Sequence, residues 1–132
     1  MKDELYYLAS PYSHKESGIR DYRYRKTLII CDIISQRYNI AILSPIVYGH
    51  QFAKLLNYPT DASYWMEFNL ILMNRSDYLI VLQLDGWEHS IGIAHEIAQF
   101  KGMDKRIGYI NEQEVQALQR DKTYKPYIRT QP

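Results

Sequence analysis

The segment Tyr78-Leu79-Ile80-Val81-Leu82 restricts most strongly how this chain can fold. It is apolar along its whole length and contains β-branched residues, which favours a strand. A strand without alternation of apolar and polar residues is typical of parallel sheets, where both faces of each strand are covered. The segment therefore predicts a central strand with helices packed on both of its faces.

Three further strand-like segments alternate with segments of helical spacing. The strands are predicted at residues 5–9, 40–43 and 106–110, and the helices at 16–38, about 61–75, 91–100 and 112–120. Residues 46–58 form either a helix or an irregular loop with helical turns. This alternation predicts an α/β fold of the Rossmann or flavodoxin-like kind, with a mainly parallel sheet of about five strands. We expect one domain over residues 1–132, with its core at about 4–120 and a C-terminal tail at 121–132.

Composition excludes several classes of protein. The chain has 16 Lys and Arg residues and 15 Asp and Glu residues, which gives a net charge of +1. It therefore lacks the excess of basic residues that is typical of proteins that bind duplex nucleic acid. The single cysteine, Cys31, excludes an intramolecular disulfide and fits a reducing compartment. No apolar stretch approaches the ~20 residues that span a bilayer, and the N-terminal residues lack a signal-peptide pattern. We expect a cytoplasmic protein that contacts neither membrane nor duplex nucleic acid.

Ligands of parallel α/β sheets bind beyond the carboxyl ends of the strands. Three segments of this chain follow predicted strands: Ser10-Pro11-Tyr12, Ser44-Pro45 and the loop from Asp85 to Gly92. These segments are where we expect the chemistry of the protein.

The loop after the central strand leads into a helix whose first residues suit an anion. Ser90 lies at the N-cap position, and Gly92 lets a ligand approach the backbone closely. Free amide groups and the helix dipole attract phosphate or a polar sugar there, although a capped helix that binds nothing has the same pattern. Glu96, two turns further on, is either a nucleophile or general base, or a solvated surface charge.

Metal and cofactor signatures are missing from the sequence. His89 and His95 are separated by six positions, which is not the spacing of two ligands on one helix face. There is no phosphate-binding loop of the Walker type and no G-x-G-x-x-G pattern. We therefore expect neither a metal site nor a bound cofactor.

Three segments together resemble the nucleoside 2-deoxyribosyltransferase-like superfamily, and in particular a bacterial and phage branch of unknown function, the DUF1937 type. The resemblance covers roughly residues 4–110. The segments are Tyr7-Leu8-Ala9-Ser10-Pro11-Tyr12, then Leu43-Ser44-Pro45, and finally residues 77–81 followed by Asp85-Gly86-Trp87 and Ser90-Ile91-Gly92-Ile93-Ala94-His95-Glu96.

The resemblance implies a retaining attack on an N-glycosidic bond. Glu96 occupies the position of the residue that attacks the anomeric carbon, and Tyr7 that of the tyrosine that orients this carboxylate. The covalent sugar then passes to a second base or to water. An oxocarbenium-like transition state needs such a carboxylate nearby, and the departing base needs a proton.

Two further positions bear on the substrate. Ser90 matches members that act on nucleoside monophosphates, whereas members acting on free nucleosides have an aspartate there. Asn69 stands where the family commonly has an aspartate for base contact or proton transfer, and an amide cannot donate a proton as an acid. Asp85 could substitute for it from the loop.

The resulting hypothesis is N-glycosidic cleavage or deoxyribosyl transfer on a nucleotide or nucleoside. Glu96 and Tyr7 are the catalytic pair, and the substrate-binding candidates are Ser10, Pro11, Tyr12, Ser44, Asn69, Asp85, Gly86, Trp87, Ser90 and Gly92. Trp87 and Tyr12 either wall the base or serve only in packing. The alternative is a nucleotide-binding module without catalysis, or a structural or regulatory protein with this fold. The 13 tyrosines and the family resemblance predict a homodimer or larger homo-oligomer, with the tail in the contact.

Overall fold

The computed structural model describes residues 1–120, apart from the side chain of Ala62, so the predicted tail at 121–132 lies outside the described residues. The described chain alternates strands and helices as expected. Its elements are β1 (Leu5–Ala9), α1 (Ser17–Tyr38), β2 (Ala41–Leu43), α2 (Pro45–Leu56), α3 (Ala62–Asn74), β3 (Tyr78–Gln83), a short 3₁₀ turn (Trp87–His89), α4 (Ile91–Gly102), β4 (Arg106–Asn111) and α5 (Glu112–Arg120).

The four strands form one parallel sheet in the order β2-β1-β3-β4. The prediction of an α/β fold with a parallel sheet is confirmed, but about five strands was wrong for the described residues. Residues 46–58, expected as a helix or an irregular loop, belong mostly to α2, which Ser44 caps and Pro45 begins. Proline at the first turn of a helix and a serine cap before it both favour helix there.

Alternation along the strands divides the core into two layers. Leu8, Ile80 and Leu82 pack with residues of α1 and α5 on one face of the sheet. Tyr7, Ala9, Leu79 and Val81 pack with residues of α3 and α4 on the other face. Because successive side chains of a strand point to opposite faces, Tyr7 necessarily points toward α4 while Leu8 points toward α1.

Local signals set most of the helix ends. Asn39, the predicted stop of α1, adopts the left-handed conformation with φ 52°. Ser90 caps α4 by accepting a hydrogen bond from the Ile93 amide at 3.2 Å. Asn111 and Glu114 cap α5 reciprocally, each side chain accepting from the other's backbone amide.

The helix α3 leaves much of its apolar surface uncovered. Met66 and Phe68 are exposed in this chain. Leu72, in the same helix, is partly buried and packs against the core layer that contains Tyr7. Packing against the sheet thus covers only one side of α3. Because α3 has almost no charged residues, the side that remains exposed is apolar. Among the described helices, none is long and apolar enough to cross a membrane.

The strand order places a reversal between β1 and β3. The chain leaves β1 toward β2 on one side and later continues from β3 toward β4 on the other. The loops after two neighbouring strands therefore separate above the sheet and open a crevice, which is where doubly wound sheets bind ligands. The segments after β1 and β3 border that crevice.

Candidate active site

A cavity of about 520 Å³ lies at this crevice. Its volume falls in the range of small-molecule sites in proteins. The segment after β1, the start of α4 and the inner sides of α2 and α3 all contribute to its lining. Among the predicted site residues, those that line it are Ser10, Tyr12, Asn69, Gly86, Ser90, Gly92 and Glu96.

A buried pair of side chains lies at the floor of the cavity. The Tyr7 hydroxyl donates a hydrogen bond of 2.5 Å to Oε2 of Glu96. Tyr7 is fully buried in β1, and Glu96, on the inner side of α4, is buried as well while it still lines the cavity. The alternative in which Glu96 is a solvated surface charge is therefore excluded, since the carboxyl is buried and reaches the cavity from inside the protein.

The burial of Glu96 changes its acidity. Desolvation raises the pKa of its carboxyl from 4.5 to about 8, and the hydrogen bond from Tyr7 opposes this shift only in part. The same burial, with the neighbouring Glu96, raises the pKa of the Tyr7 hydroxyl far above its ordinary range. Tyr7 thus remains a hydrogen-bond donor at any working pH. Perturbed carboxyl groups in clefts are typical of functional sites, because ordinary structure avoids the cost of burying them.

The start of α4 provides groups that suit an anion. The oxygen of Ser90 already accepts from the Ile93 amide, so its own hydrogen is free to be donated to a ligand. The first amides of a helix lack partners within the helix, and the dipole favours negative charge there. Ser90 and Gly92 both line the cavity, so this helix start faces the ligand space.

Arg23 adds a positive charge to the same cavity, and the sequence analysis did not identify it. Its guanidinium donates to the backbone oxygens of Tyr12 and Ser13, at 3.3 and 3.0 Å. The guanidinium also lies so close to Gly86 that a Cβ there would be 2.8 Å from Nη2. Gly86 has φ +90°, a conformation that other residues rarely adopt, so the backbone favours glycine there, whereas the flexible end of Arg23 could move away from a Cβ.

Besides the fully buried Tyr7, four of the predicted substrate-binding residues lie outside the lining of the cavity. Ser44 is buried and its side chain caps α2 through the Val47 amide, while Pro11 is buried next to Tyr12. Trp87 packs against Tyr109 with ring centroids 6.1 Å apart, which agrees with the packing alternative for this residue. Asp85 is exposed in the loop. These residues shape the loops around the cavity and do not line it.

Asn69 lies in the cavity wall on α3. Its Oδ1 is buried and has no hydrogen-bond partner in the described structure. A buried acceptor without a donor is costly, so this oxygen favours a ligand or water that donates to it. The side chain can recognise a polar edge, but it cannot release a proton as a carboxylic acid does.

The cavity is also lined by histidines and by apolar residues that the sequence analysis did not include among the site residues. His14, His50, His89 and His95 all line it, together with Trp65 and Met66. The sequence placed His50 in a segment of uncertain structure, and only the cap formed by Ser44 and Pro45 could have indicated that α2 turns it inward. Within residues 1–120, no group of three or more His, Cys, Asp or Glu side chains is arranged to hold a metal ion.

Fold and site together define a parallel α/β protein with a cavity at the switch point of its sheet and a buried carboxyl group in the lining of that cavity. The family model described as "Domain of unknown function (DUF1937)" matches residues 4–112, and the chain belongs to that family. No curated protein matches the sequence.

Replacing the buried carboxyl should change how stability depends on pH. Between pH 4.5 and about 8, the folded protein keeps the Glu96 proton and the unfolded chain has lost it. The unfolded state then binds fewer protons, so the free energy of unfolding falls as pH rises, with a slope approaching about 1.4 kcal/mol per pH unit. We expect Glu96→Gln to remove this slope, and urea unfolding at pH 5, 6.5 and 8 measures it.

The matched control is Glu88→Gln, because Glu88 is exposed in the loop before α4. It should unfold with the pH dependence of the parent protein. Parallel pH curves for the parent and Glu96→Gln would contradict a buried, protonated carboxyl group.

Proposed function

We propose that this protein cleaves the N-glycosidic bond of a 2′-deoxynucleotide or nucleoside, with Glu96 as the nucleophile. The observation that most supports this proposal is the Glu96 carboxyl, which is buried, lines the cavity and accepts a hydrogen bond at one oxygen from the Tyr7 hydroxyl. With Oε2 engaged, Oε1 is the oxygen left to attack. The proposal includes membership of the nucleoside 2-deoxyribosyltransferase-like superfamily and a Rossmann-like, flavodoxin-type sheet, supported by the strand order.

The reaction runs in two steps through a covalent sugar. A bond forms between a Glu96 oxygen and C1′, the bond from C1′ to the base nitrogen breaks, and its electron pair leaves with the base. The base must gain a proton as it leaves. Water or a second base then attacks C1′ and releases Glu96, giving hydrolysis or transfer. Because Glu96 attacks as the carboxylate, it must first lose the proton that its raised pKa retains.

The preferred substrate carries a 5′-phosphate. Ser90, the first amides of α4 and the Arg23 guanidinium offer donors and positive charge to the same cavity. A helix start with a serine hydroxyl and a nearby guanidinium stabilises a dianion, whereas a carboxylate at position 90 would repel it. A cytoplasmic location belongs to this proposal and agrees with the unpaired thiol of Cys31.

The second candidate function is nucleotide binding without turnover. It is favoured by Asn69, whose amide cannot act as an acid, and by the Glu96 carboxyl, which burial keeps protonated at neutral pH. Release of free base from a panel of deoxynucleosides and their monophosphates separates the two functions, because the binding module would retain the ligand intact.

A second copy of the chain is the partner that we propose for the open face of α3. Tyr64, Phe68 and Ile71 are exposed there, and Tyr48 of α2 stacks on Phe68 with ring centroids 5.4 Å apart. The sequence of α3 carries a single charge, Glu67, so two copies of this face can meet across a twofold axis with little repulsion. Met66 of the same helix lines the cavity, so the contact would lie beside the ligand.

Glu96→Gln should abolish base release and leave the fold intact. The amide is nearly isosteric and still accepts the Tyr7 hydrogen bond, but it cannot serve as the carboxylate nucleophile. Tyr7→Phe should reduce release less, by roughly tenfold to a hundredfold, since a hydrogen bond to a charged group contributes about 1.5–3 kcal/mol. Chromatography of the released base measures both, with thermal melting as the control for folding. Undiminished release by Glu96→Gln would exclude Glu96 as the nucleophile.

A monophosphate should bind more tightly than its nucleoside, by roughly 1.5–3 kcal/mol for one or two charge-assisted hydrogen bonds. Ser90→Asp should reverse this preference through repulsion, while Ser90→Ala should only reduce it. Titration calorimetry with one deoxynucleoside and its monophosphate, using Glu96→Gln to prevent turnover, measures the difference. Equal affinities in the protein with Ser90 would contradict the phosphate site.

Light scattering should give a mass of at least twice the chain mass of 15.7 kDa. Ile71→Asp should shift the protein toward the monomer, because it buries a charge at the proposed contact. The matched control is Ile29→Asp on α1, an equally exposed isoleucine outside the face of α3. A parent protein that is monomeric at micromolar concentrations, or equal dissociation by both variants, would count against this face.

A further inference from the structure

A chain of hydrogen-bonded side chains begins at the wall of the cavity. The Tyr12 hydroxyl lies 2.7 Å from Nδ1 of His50, and Nε2 of His50 lies 3.1 Å from Oδ1 of Asp21. The other oxygen of Asp21 accepts a hydrogen bond of 2.9 Å from Lys54. Tyr12 lines the main cavity, whereas Asp21 and Lys54 line a separate cleft, and His50 lines both.

The imidazole is held firmly in this position. The Tyr24 ring stacks on His50 with centroids 4.2 Å apart, and the Tyr12 ring meets it edge-on at 5.5 Å. His50 itself is buried on the inner side of α2. A buried imidazole with partners at both nitrogens has few alternative orientations, so it can transfer a proton between fixed partners.

The identity of the partners determines where the hydrogens lie. Lys54 holds the pKa of Asp21 below its ordinary value, so Asp21 is a carboxylate that only accepts. Nε2 of His50 must then carry a hydrogen. In neutral His50 the other nitrogen, Nδ1, accepts the single hydrogen of Tyr12; in protonated His50, Nδ1 donates to the Tyr12 oxygen and the Tyr12 hydrogen is free to point into the cavity.

We propose that Tyr12 is the catalytic acid that protonates the departing base, and that Asp21 and His50 form the proton relay behind it. This inference rests on the proposed function, since it concerns the same reaction. It assigns the proton to a group on the loop after β1, and not to the amide of Asn69 on α3.

The proton balance closes over the two steps. As the bond from C1′ to the base breaks, Tyr12 gives its hydroxyl proton to the base nitrogen and takes the Nδ1 proton of His50, which becomes neutral. When water later attacks C1′, the bond to Glu96 breaks and its electron pair returns to the carboxylate. The water proton passes to the Tyr12 oxygen and the Tyr12 proton to Nδ1, which restores the imidazolium.

The charges around His50 determine the pH dependence. Burial holds the pKa of His50 below 6.5. The carboxylate of Asp21 opposes this shift, whereas the cations of Lys54 and Arg20 lower the pKa further. The titratable and charged groups that face the ring are Tyr12 on the loop after β1, Arg20, Asp21 and Tyr24 on α1, and Lys54 on α2. Burial also raises the pKa of the Tyr12 hydroxyl, so Tyr12 stays protonated between transfers.

The active form has a proton on His50 and none on Glu96. It contains the same number of protons as the resting form, which has a protonated Glu96 and a neutral His50. The fraction of protein in the active form is therefore constant at pH values between the two pKa values. That fraction decreases below the lower pKa and above the higher one. The rate of base release should be bell-shaped, falling below the pKa of His50 and above about 8, the pKa of Glu96.

Leaving groups that need no proton test the acid directly. The substrates are the best deoxynucleotide of the panel and the p-nitrophenyl glycoside of 2-deoxyribose 5-phosphate, which releases a stable anion. Tyr12→Phe and His50→Gln should slow base release by about a hundredfold or more. Both variants should keep the first-turnover burst of nitrophenolate within a few-fold of the parent rate, because attack by Glu96 on this substrate needs no acid, while Glu96→Gln loses both reactions. Tyr22→Phe and Asp32→Asn, on the exposed side of α1, are the matched controls.

Each outcome decides between the proposals. Equal losses in the first turnover of both substrates in Tyr12→Phe, or no loss on either, would overturn the acid assignment while leaving the nucleophile in place. A parent protein that releases neither leaving group would overturn the proposed function and the acid assignment together.

A measurement on the ring itself tests the relay without turnover. Nitrogen NMR of His50 should show hydrogen on Nε2 in the neutral form and a pKa below 6.5. Asp21→Asn should lower that pKa further, because the favourable carboxylate is lost. An unchanged titration in Asp21→Asn, or hydrogen on Nδ1 in the neutral form, would refute the relay even where base release is observed.

Discussion

The hydrogen bond from Tyr7 to Glu96 joins the strand β1 to the helix α4 at the place where the sheet reverses its order. A buried carboxyl group is costly unless it is neutralised or hydrogen-bonded, and here both means are present. The tyrosine satisfies one oxygen and burial favours the protonated acid. The remaining parts of the cavity are arranged around this carboxyl: the helix start that carries Ser90 lies on one side and the loop after β1 on the other.

In the proposed mechanism, ligand binding and proton transfer are carried out by different residues. The α4 start and Arg23 present donors and positive charge, which suits an anionic end of a ligand. Asn69 offers an unpartnered amide oxygen from α3, which suits a donor on a planar base. Tyr12 and His50 also line the cavity and are connected to the outer cleft through Asp21. Proton exchange with solvent through that cleft would not require the ligand to leave the cavity.

The aromatic residues have two separate uses. Tyr7, Tyr12 and Tyr24 place hydroxyls or ring faces around the ionisable groups of the site. By contrast, Tyr48, Tyr64 and Phe68 form part of an exposed apolar face on α2 and α3. A cluster of exposed rings on one side of a small domain is unusual for an isolated protein, because scattered exposure is the norm. That contrast supports the proposed second copy beside the cavity.

Part of the fold could be predicted because its signals are local. The unbroken apolar strand at Tyr78, the left-handed Asn39 and the cap at Ser90 each depend on a few neighbouring residues, and the structure has all three. The number of strands was overestimated because the fold class suggested a typical sheet. The described residues form four strands, and these are the four segments whose sequences have strand character.

The sequence alone determined that this chain builds a parallel α/β sheet and that reactive groups follow its strands. Only the tertiary structure decided which of those groups meet. Strand alternation placed Tyr7 on the face that α4 covers, so a residue of β1 reached Glu96. Packing of α2 against α1 brought His50 to Asp21, two residues that share no local pattern. Periodicity shows which side of an element is apolar, but the partner that covers it depends on the path of the whole chain.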